Sequence, residues 1–213
     1  MKTSDLIALL AADLVPVGAN ATGRRYGLAL VFGASSATLM MLVLLGVRAD
    51  LADAALLPMF WFKLLFVTGI AGSGLLAAAR LSQPGAPVAL APAVLAAPVL
   101  FVWGMAAWTL LEAGASERVD LLLGKTWDQA PVNIFMLSIP ALVAALWAMK
   151  GLAPIRLALA GGAAGMLAGG IGAIAYSFHC TEVAAPFVGI WYLAGVLLPM
   201  AVGAALGPIL LRW

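Results

Sequence analysis

The residues best suited to chemistry lie close together near the C-terminus, in the stretch HCTEV. His179, Cys180 and Glu182 offer an imidazole, a thiol and a carboxylate, and all three groups bind soft divalent metals. A histidine beside a cysteine also tunes thiol reactivity, and a nucleophile with its base needs the same pair. Adjacent residues at a helix end point about 100° apart. Three alternatives therefore stay open: a redox or metal sensor, a catalytic pair, or an interfacial histidine beside a buried, inert thiol.

Two further features suggest chemistry less strongly. Lys63 interrupts a long apolar stretch, and a charge in such a place either snorkels to the lipid headgroups, meets a partner acid or lines a pore. The tripeptide Gly124–Thr126 reads GKT, as in a phosphate loop. That motif needs a glycine five positions before its second glycine, where this chain has Val119. A short turn or interfacial helix ending at Trp127 is the better prediction.

The composition requires a membrane around these residues. Of 213 residues 65% are hydrophobic and only 9% are charged, and the mean hydropathy is +1.11. Soluble domains carry about 25% charged residues. The net charge of +2 gives no basic face for nucleic acid. Six apolar segments are long enough to span a bilayer. They are residues 26–46, 58–79, 88–111, 131–149, 157–178 and 187–210.

The basic residues orient these segments. With the N-terminus inside, seven Lys and Arg residues fall on the inner side and three on the outer side. The inner ones are Lys2, Arg24, Arg25, Arg80, Lys150, Arg156 and Arg212, and the outer ones are Arg48, Arg118 and Lys125. We therefore expect both termini in the cytoplasm and the HCTEV stretch outside.

Small residues should join the helices. Gly161, Gly165 and Gly169 recur every four residues and form one groove along the fifth segment, and Gly203 and Gly207 repeat the spacing in the sixth. Such a groove serves either packing within one chain or a homodimer, and both alternatives stay open.

The N-terminal stretch MKTSDLIALLAADLVPV differs from the rest of the chain. Leucines at helical spacing predict a short amphipathic helix that ends near Pro16. Membrane-surface helices usually carry basic polar faces, whereas this one offers Asp5 and Asp13. The acids favour a cytoplasmic protein partner, with lipid or the chain's own bundle as alternatives.

The chain resembles the NrsF-type integral-membrane anti-sigma factors, negative regulators of sigma-F-class extracytoplasmic-function sigma factors. The resemblance rests on the leader just quoted, on FWFKLLF, on LLGKTW before the fourth segment, on SIPALVAALWAMKGLAP and on the tail that begins YSFHCTEVAAP. It runs nearly end to end, and the expected number of spans and chain length also fit.

The resemblance implies a mechanism. Residues 1–25 would hold a sigma factor at the bacterial inner membrane, and an external redox or heavy-metal stress signal would release it. The implied partner-binding residues are Asp5, Leu6, Ile7, Leu9, Leu10, Asp13, Pro16 and Val17. Family members typically carry two outer cysteines, and the implied sensing positions are Cys180, His179 and Ala130. Ala130 stands where the other cysteine is expected, so a disulfide within the chain is impossible.

We therefore predict an all-α protein with a leader at residues 1–25 and a six-helix transmembrane domain at residues 26–213. It should act as an anti-sigma factor, not as an enzyme, with no cofactor and no bound metal. Its partners should be a sigma factor and membrane lipid, with no direct nucleic acid contact. A small-molecule or metal transporter of the inner membrane is the alternative.

Overall fold

The computed structural model describes Thr3 and residues 21–83, 90–152 and 154–212. Throughout these residues the regular structure is helical, without strands, so the predicted all-α class is confirmed. The predicted partner-binding residues of the leader lie outside the described residues. These are Asp5, Leu6, Ile7, Leu9, Leu10, Asp13, Pro16 and Val17.

Nine α-helices and two π-helical turns make up the described part of the chain between residues 21 and 212. The α-helices are α1 Ala21–Met40, α2 Leu51–Ala54, α3 Pro58–Leu81, α4 Leu90–Glu112, α5 Glu117–Leu123, α6 Ala130–Lys150, α7 Leu157–Ser177, α8 Ala185–Phe187 and α9 Leu193–Leu210. One π turn, Met41–Leu45, extends α1, and the other, Val188–Tyr192, joins α8 to α9.

Five helical segments are long and apolar enough to cross a membrane. They are Thr22–Leu45, Pro58–Leu81, Ala130–Lys150, Leu157–Ser177 and Ala185–Leu210, and each coincides with a predicted span. The remaining predicted span corresponds to α4, whose described apolar part, Ala96–Glu112, is shorter. The count of six spans therefore stays a prediction.

Helix α7 is the centre of the bundle because glycines on three of its faces let other backbones approach. A Cβ on Gly165 would overlap the carbonyl oxygen of Pro199 in α9, and one on Gly170 would lie 2.7 Å from Ala71 Cα in α3. At Gly172 a Cβ would lie 2.6 Å from the Ile134 carbonyl oxygen in α6. In lipid such close packing is what holds helices together.

The predicted glycine groove packs within the chain. Gly161 and Gly165 lie against the backbone of α9, and Gly203 approaches Gly161 in return. The groove is thus filled by the chain's own last helix, so it is not the surface that a homodimer would use.

Helix α1 lies at the periphery. It packs on α6 at Gly33, where an added Cβ would lie 2.9 Å from Ala141 Cβ. Near its N-terminal end the Tyr26 hydroxyl is hydrogen-bonded to Ser82 Oγ at 2.8 Å, and the Arg25 guanidinium packs on Gly151.

Replacing Gly165 by leucine should destabilise the bundle, because the added side chain meets α9 backbone that cannot move aside. Overpacking of this kind costs about 3 kcal/mol at its upper range, which lowers the Tm of a chain this size by roughly 6 °C or more. The measurement is thermal unfolding in detergent, in which the loss of monodispersity on heating gives the Tm. Gly104→Leu is the control, since a Cβ there meets nothing within 4 Å. Equal melting of the two variants would contradict the central role of α7.

Candidate functional site

A loop at one end of the bundle contains the predicted sensing residues. We call residues 178–184 the Cys180 loop and this end of the bundle the Cys180 end. Helix α7 stops at Ser177, two turn residues follow, and the chain then runs without regular structure until Ala185 begins α8, which has Pro186 in its first turn. Proline suits the first turn of a helix and resists continuation of the previous one.

A buried lysine of α3 holds the Cys180 loop. The side chain of Lys63 is 3% exposed, and its Nζ donates to the carbonyl oxygens of Cys180 at 3.0 Å and Glu182 at 2.8 Å. The same ammonium lies 4.9 Å from the centroid of the Tyr192 ring, where the face of the aromatic ring attracts a cation.

These contacts correct the expectation for Lys63. The side chain does not snorkel to the headgroups, because its charged end is enclosed by the loop. Glu182 is not its partner acid either, since that residue contributes its backbone carbonyl while its carboxylate accepts from the backbone N–H of Lys125 at 3.0 Å. Desolvating an ammonium is expensive, and two carbonyl acceptors and a ring face offset that cost.

A second set of bonds joins the loop to the chain after α1. The Arg48 backbone N–H donates to the Phe178 carbonyl at 3.1 Å, and Arg48 Nη1 donates to the Cys180 carbonyl at 3.3 Å. His179 Nδ1 is 2.9 Å from the Gly46 carbonyl oxygen and must carry the proton to donate to it.

The guanidinium of Arg48 is fixed by a carboxylate. Its Nε and Nη2 each lie 2.7 Å from an oxygen of Asp50, which is the two-point geometry that suits arginine. These hydrogen bonds hold the pKa of the Asp50 carboxyl below its ordinary value and raise that of Arg48. Arg48 therefore reaches the Cys180 carbonyl as a fixed cation.

The thiol of Cys180 is 2% exposed and faces the turn before α6. Its Sγ lies 3.9 Å from Thr126 Oγ1. Ala130, itself fully buried, donates its backbone N–H to the Thr126 carbonyl at 2.9 Å. Thus position 130 lies one helical turn from the hydroxyl that meets the thiol, and two of the three predicted sensing positions belong to one buried cluster.

The turn before α6 packs on the rest of the site through aromatic residues. Trp191 Nε1 donates to the Leu122 carbonyl at 2.8 Å, and the Trp127 and Trp191 rings are 5.3 Å apart. Gly124 ends α5 at φ +58°, where a Cβ would lie 2.8 Å from the Phe187 ring. The GKT tripeptide is therefore a turn, as predicted.

The His179 imidazole is bonded elsewhere and does not pair with the Cys180 thiol. The Nδ1 of His179 is hydrogen-bonded to the Gly46 carbonyl, and its ring packs at a tilt against the Tyr176 ring with centroids 5.7 Å apart. Within the described residues no group of three or more His, Cys, Asp or Glu side chains is placed to hold a metal. What the geometry offers is a buried thiol at the junction of several segments, so a change at the thiol would disturb all of them.

Sequence reasoning missed Arg48, Thr126 and Tyr192. The hydroxyl of Tyr192 is buried and, among described groups, has no hydrogen-bond partner. The available signals were weak: Arg48 directly follows an apolar segment, and Tyr192 directly follows Trp191 within another apolar segment.

Replacing Lys63 by methionine should open the Cys180 loop, because two carbonyls lose their charged donor at about 1–3 kcal/mol each. We expect maleimide to label the thiol about tenfold faster or more, as 1.4 kcal/mol is a factor of ten. Cys180 is the single cysteine, so the label reports this site alone. Lys125→Met is the matched control, since Lys125 bonds the loop through its backbone. An unchanged labelling rate would refute the holding role of Lys63.

Comparison with known proteins gives full-length matches. The sequence matches the family described as "NrsF: Negative regulator of sigma F" over residues 10–213. It is 53% identical over 213 residues to the "Probable anti-sigma-F factor NrsF" of Azospira oryzae, and the alignment covers 100% of both chains. It is 38% identical over 216 residues to the "Anti-sigma-F factor NrsF" of Caulobacter vibrioides, again with 100% of both chains covered. No solved structure matches the chain. By these matches, the chain belongs to the NrsF family of negative regulators of sigma F.

Proposed function

We propose that this protein is an anti-sigma factor that holds a sigma-F-type, extracytoplasmic-function sigma factor at the bacterial inner membrane and releases it on an external redox or heavy-metal stress. The observation that carries the proposal is the end-to-end identity of 53% with a relative named as an anti-sigma-F factor. The apolar helices supply the membrane anchor that such a protein requires. A regulatory role of this kind requires binding and release, not catalysis.

The leader, residues 1–25, is the segment proposed to bind the sigma factor. Its leucines would provide the apolar contact of a helix laid in a groove on the partner. Asp5 and Asp13 would provide charge complementarity, which fixes orientation and speeds encounter more than it adds affinity. Helix α1 begins at Ala21, so the proposed binding segment runs directly into the membrane domain of residues 26–213.

The proposed orientation places the leader in the cytoplasm. Basic residues concentrate at the end of the bundle opposite Cys180, where Arg25 packs on Gly151. The helix ends that share this side in the proposed topology have a basic residue in or beside their terminal turn, namely Arg24, Arg80, Lys150, Arg156 or Arg212. The inner side of a bacterial membrane favours such an excess. With both termini inside, the Cys180 loop would face the exterior, where a stress signal arrives.

The transporter alternative gains no support from the site. A pathway through a membrane needs a chain of polar or ionisable groups. Lys63, the cation placed within a span, is bonded to loop carbonyls, and the larger grooves of the described bundle are lined almost entirely by apolar side chains.

Leu6→Glu or Leu10→Glu should release the sigma factor, because a charge replaces an apolar anchor in the proposed contact. Truncation of such an anchor costs 2 kcal/mol or more, which is roughly a thirtyfold loss of affinity. The measurement is retention of the sigma factor on the full-length chain in detergent extracts. Ala8→Glu is the control, since it adds the same charge on the opposite face of the predicted helix. If all three variants retain the sigma factor equally, the leader is not the segment that binds it.

Ala130→Cys should restore an oxidisable pair, because position 130 lies one turn from the hydroxyl that contacts the Cys180 thiol. On oxidation we expect a disulfide within the chain, seen as a mobility shift that reductant reverses and that Cys180→Ser abolishes. Ala113→Cys, in the loop after α4, serves as the control. If oxidation yields only dimers between chains, the proposed pairing of positions 130 and 180 is wrong.

A further inference from the structure

Three hydrogen bonds join the segment that follows α1 to the segment that follows α7. We call these groups the clasp: the Arg48 and His179 side chains, the Arg48 backbone N–H, and the carbonyls of Gly46, Phe178 and Cys180. The three distances are 3.1, 3.3 and 2.9 Å. Arg48 is itself fixed by Asp50. The clasp thus joins two segments of the chain that are 132 residues apart in sequence.

Helix α1 is the element of the clasp that reaches the leader. It runs from Ala21 through the π turn to Leu45 without a loop. The π turn closes where the Gly46 N–H donates to the Met41 carbonyl at 2.9 Å, and Gly46 takes φ +77°, which suits glycine. Turns of this type occur mostly as single turns within α-helices and are frequent at functional sites. A second π turn, Val188–Tyr192, borders the same site and carries the tyrosine under Lys63.

The way α1 packs would let a change at one end reach the other. Only one face of α1 packs on the bundle: buried residues recur along it from Tyr26 to Met41, with Gly33 lying on Ala141, and most of its large side chains face outward. At the far end it is held by the Tyr26–Ser82 hydrogen bond. The hydrogen bonds at its two ends therefore set the tilt of α1 against the bundle, and releasing those at the Cys180 end would change that tilt and move the other end.

We propose that the clasp links the Cys180 loop to the leader by fixing the tilt of α1, so that opening the clasp lowers the affinity of the leader for the sigma factor. The inference rests on the proposed function. Lys63 holds the same loop from α3, but α3 continues into the turn at Ser82 and not into the leader. Arg48 and His179 therefore act as positioning residues, through α1, on a binding segment at the opposite end.

The test uses the full chain in nanodiscs with spin labels at Gly23→Cys and Leu210→Cys, in a Cys180→Ser background that keeps the clasp carbonyl. A Cβ on Gly23 meets nothing within 4 Å, and Leu210 is exposed at the end of α9. The clasp is broken by Arg48→Met with His179→Ala. Arg118→Met is the control, because Arg118 is an exposed arginine of the short helix α5 that bonds the Ala113 carbonyl and takes no part in the clasp.

We expect the distance distribution between the labels to shift or broaden in the clasp variant and to stay unchanged in the control. We also expect affinity for the sigma factor to fall about fivefold or more, the lower end of coupling between two sites. Monodisperse elution equal to that of the control excludes misfolding as the cause.

Unchanged label distances would overturn the proposal, whether or not affinity falls, since α1 would then not be the link. Shifted distances with unchanged affinity would also overturn it. The Leu6→Glu variant distinguishes a failure of this inference from a failure of the proposed function. If that variant retains the sigma factor, the leader is not the binding segment. The label distances still decide whether the clasp positions α1.

Discussion

The ammonium of Lys63, buried beneath the Cys180 loop, is the interaction on which this end of the molecule depends. Two carbonyl oxygens from residues 117 and 119 positions away converge on one charged donor, with the Tyr192 ring alongside. An ammonium without such acceptors would be too costly to bury in a span. The loop must therefore close over the lysine, and that closure brings the thiol, the turn before α6 and the segment after α1 together.

The apolar helices must also pack closely against one another, and glycine makes this possible. Lipid tails are as apolar as leucine side chains, so the bundle gains little from burial and must gain from contact. Glycines on three faces of α7 allow that contact with α3, α6 and α9. Helix α1 lies outside this centre, packed by one face on α6 and hydrogen-bonded at both ends.

Much of the fold was predictable because long apolar runs permit few structures in lipid. The segments 58–79 and 131–149 became Pro58–Leu81 and Ala130–Lys150, with prolines and basic residues marking their ends. The loop carbonyls that Lys63 and Arg48 bind were not predictable, since backbone carbonyls carry no residue signature and these lie more than 100 positions away. The π turns were missed for a similar reason: their sequences, MLVLL and VGIWY, read as ordinary apolar helix.

The most direct test of this account is hydrogen–deuterium exchange of the full chain in nanodiscs, comparing the native protein with Lys63→Met. Because the lysine holds the loop and the loop holds the segment after α1, exchange should rise together at residues 46–50 and 178–184, while the middle of α7 stays protected. Faster exchange at 178–184 alone, with 46–50 as slow as in the native chain, would contradict the claim that one buried charge organises the whole site.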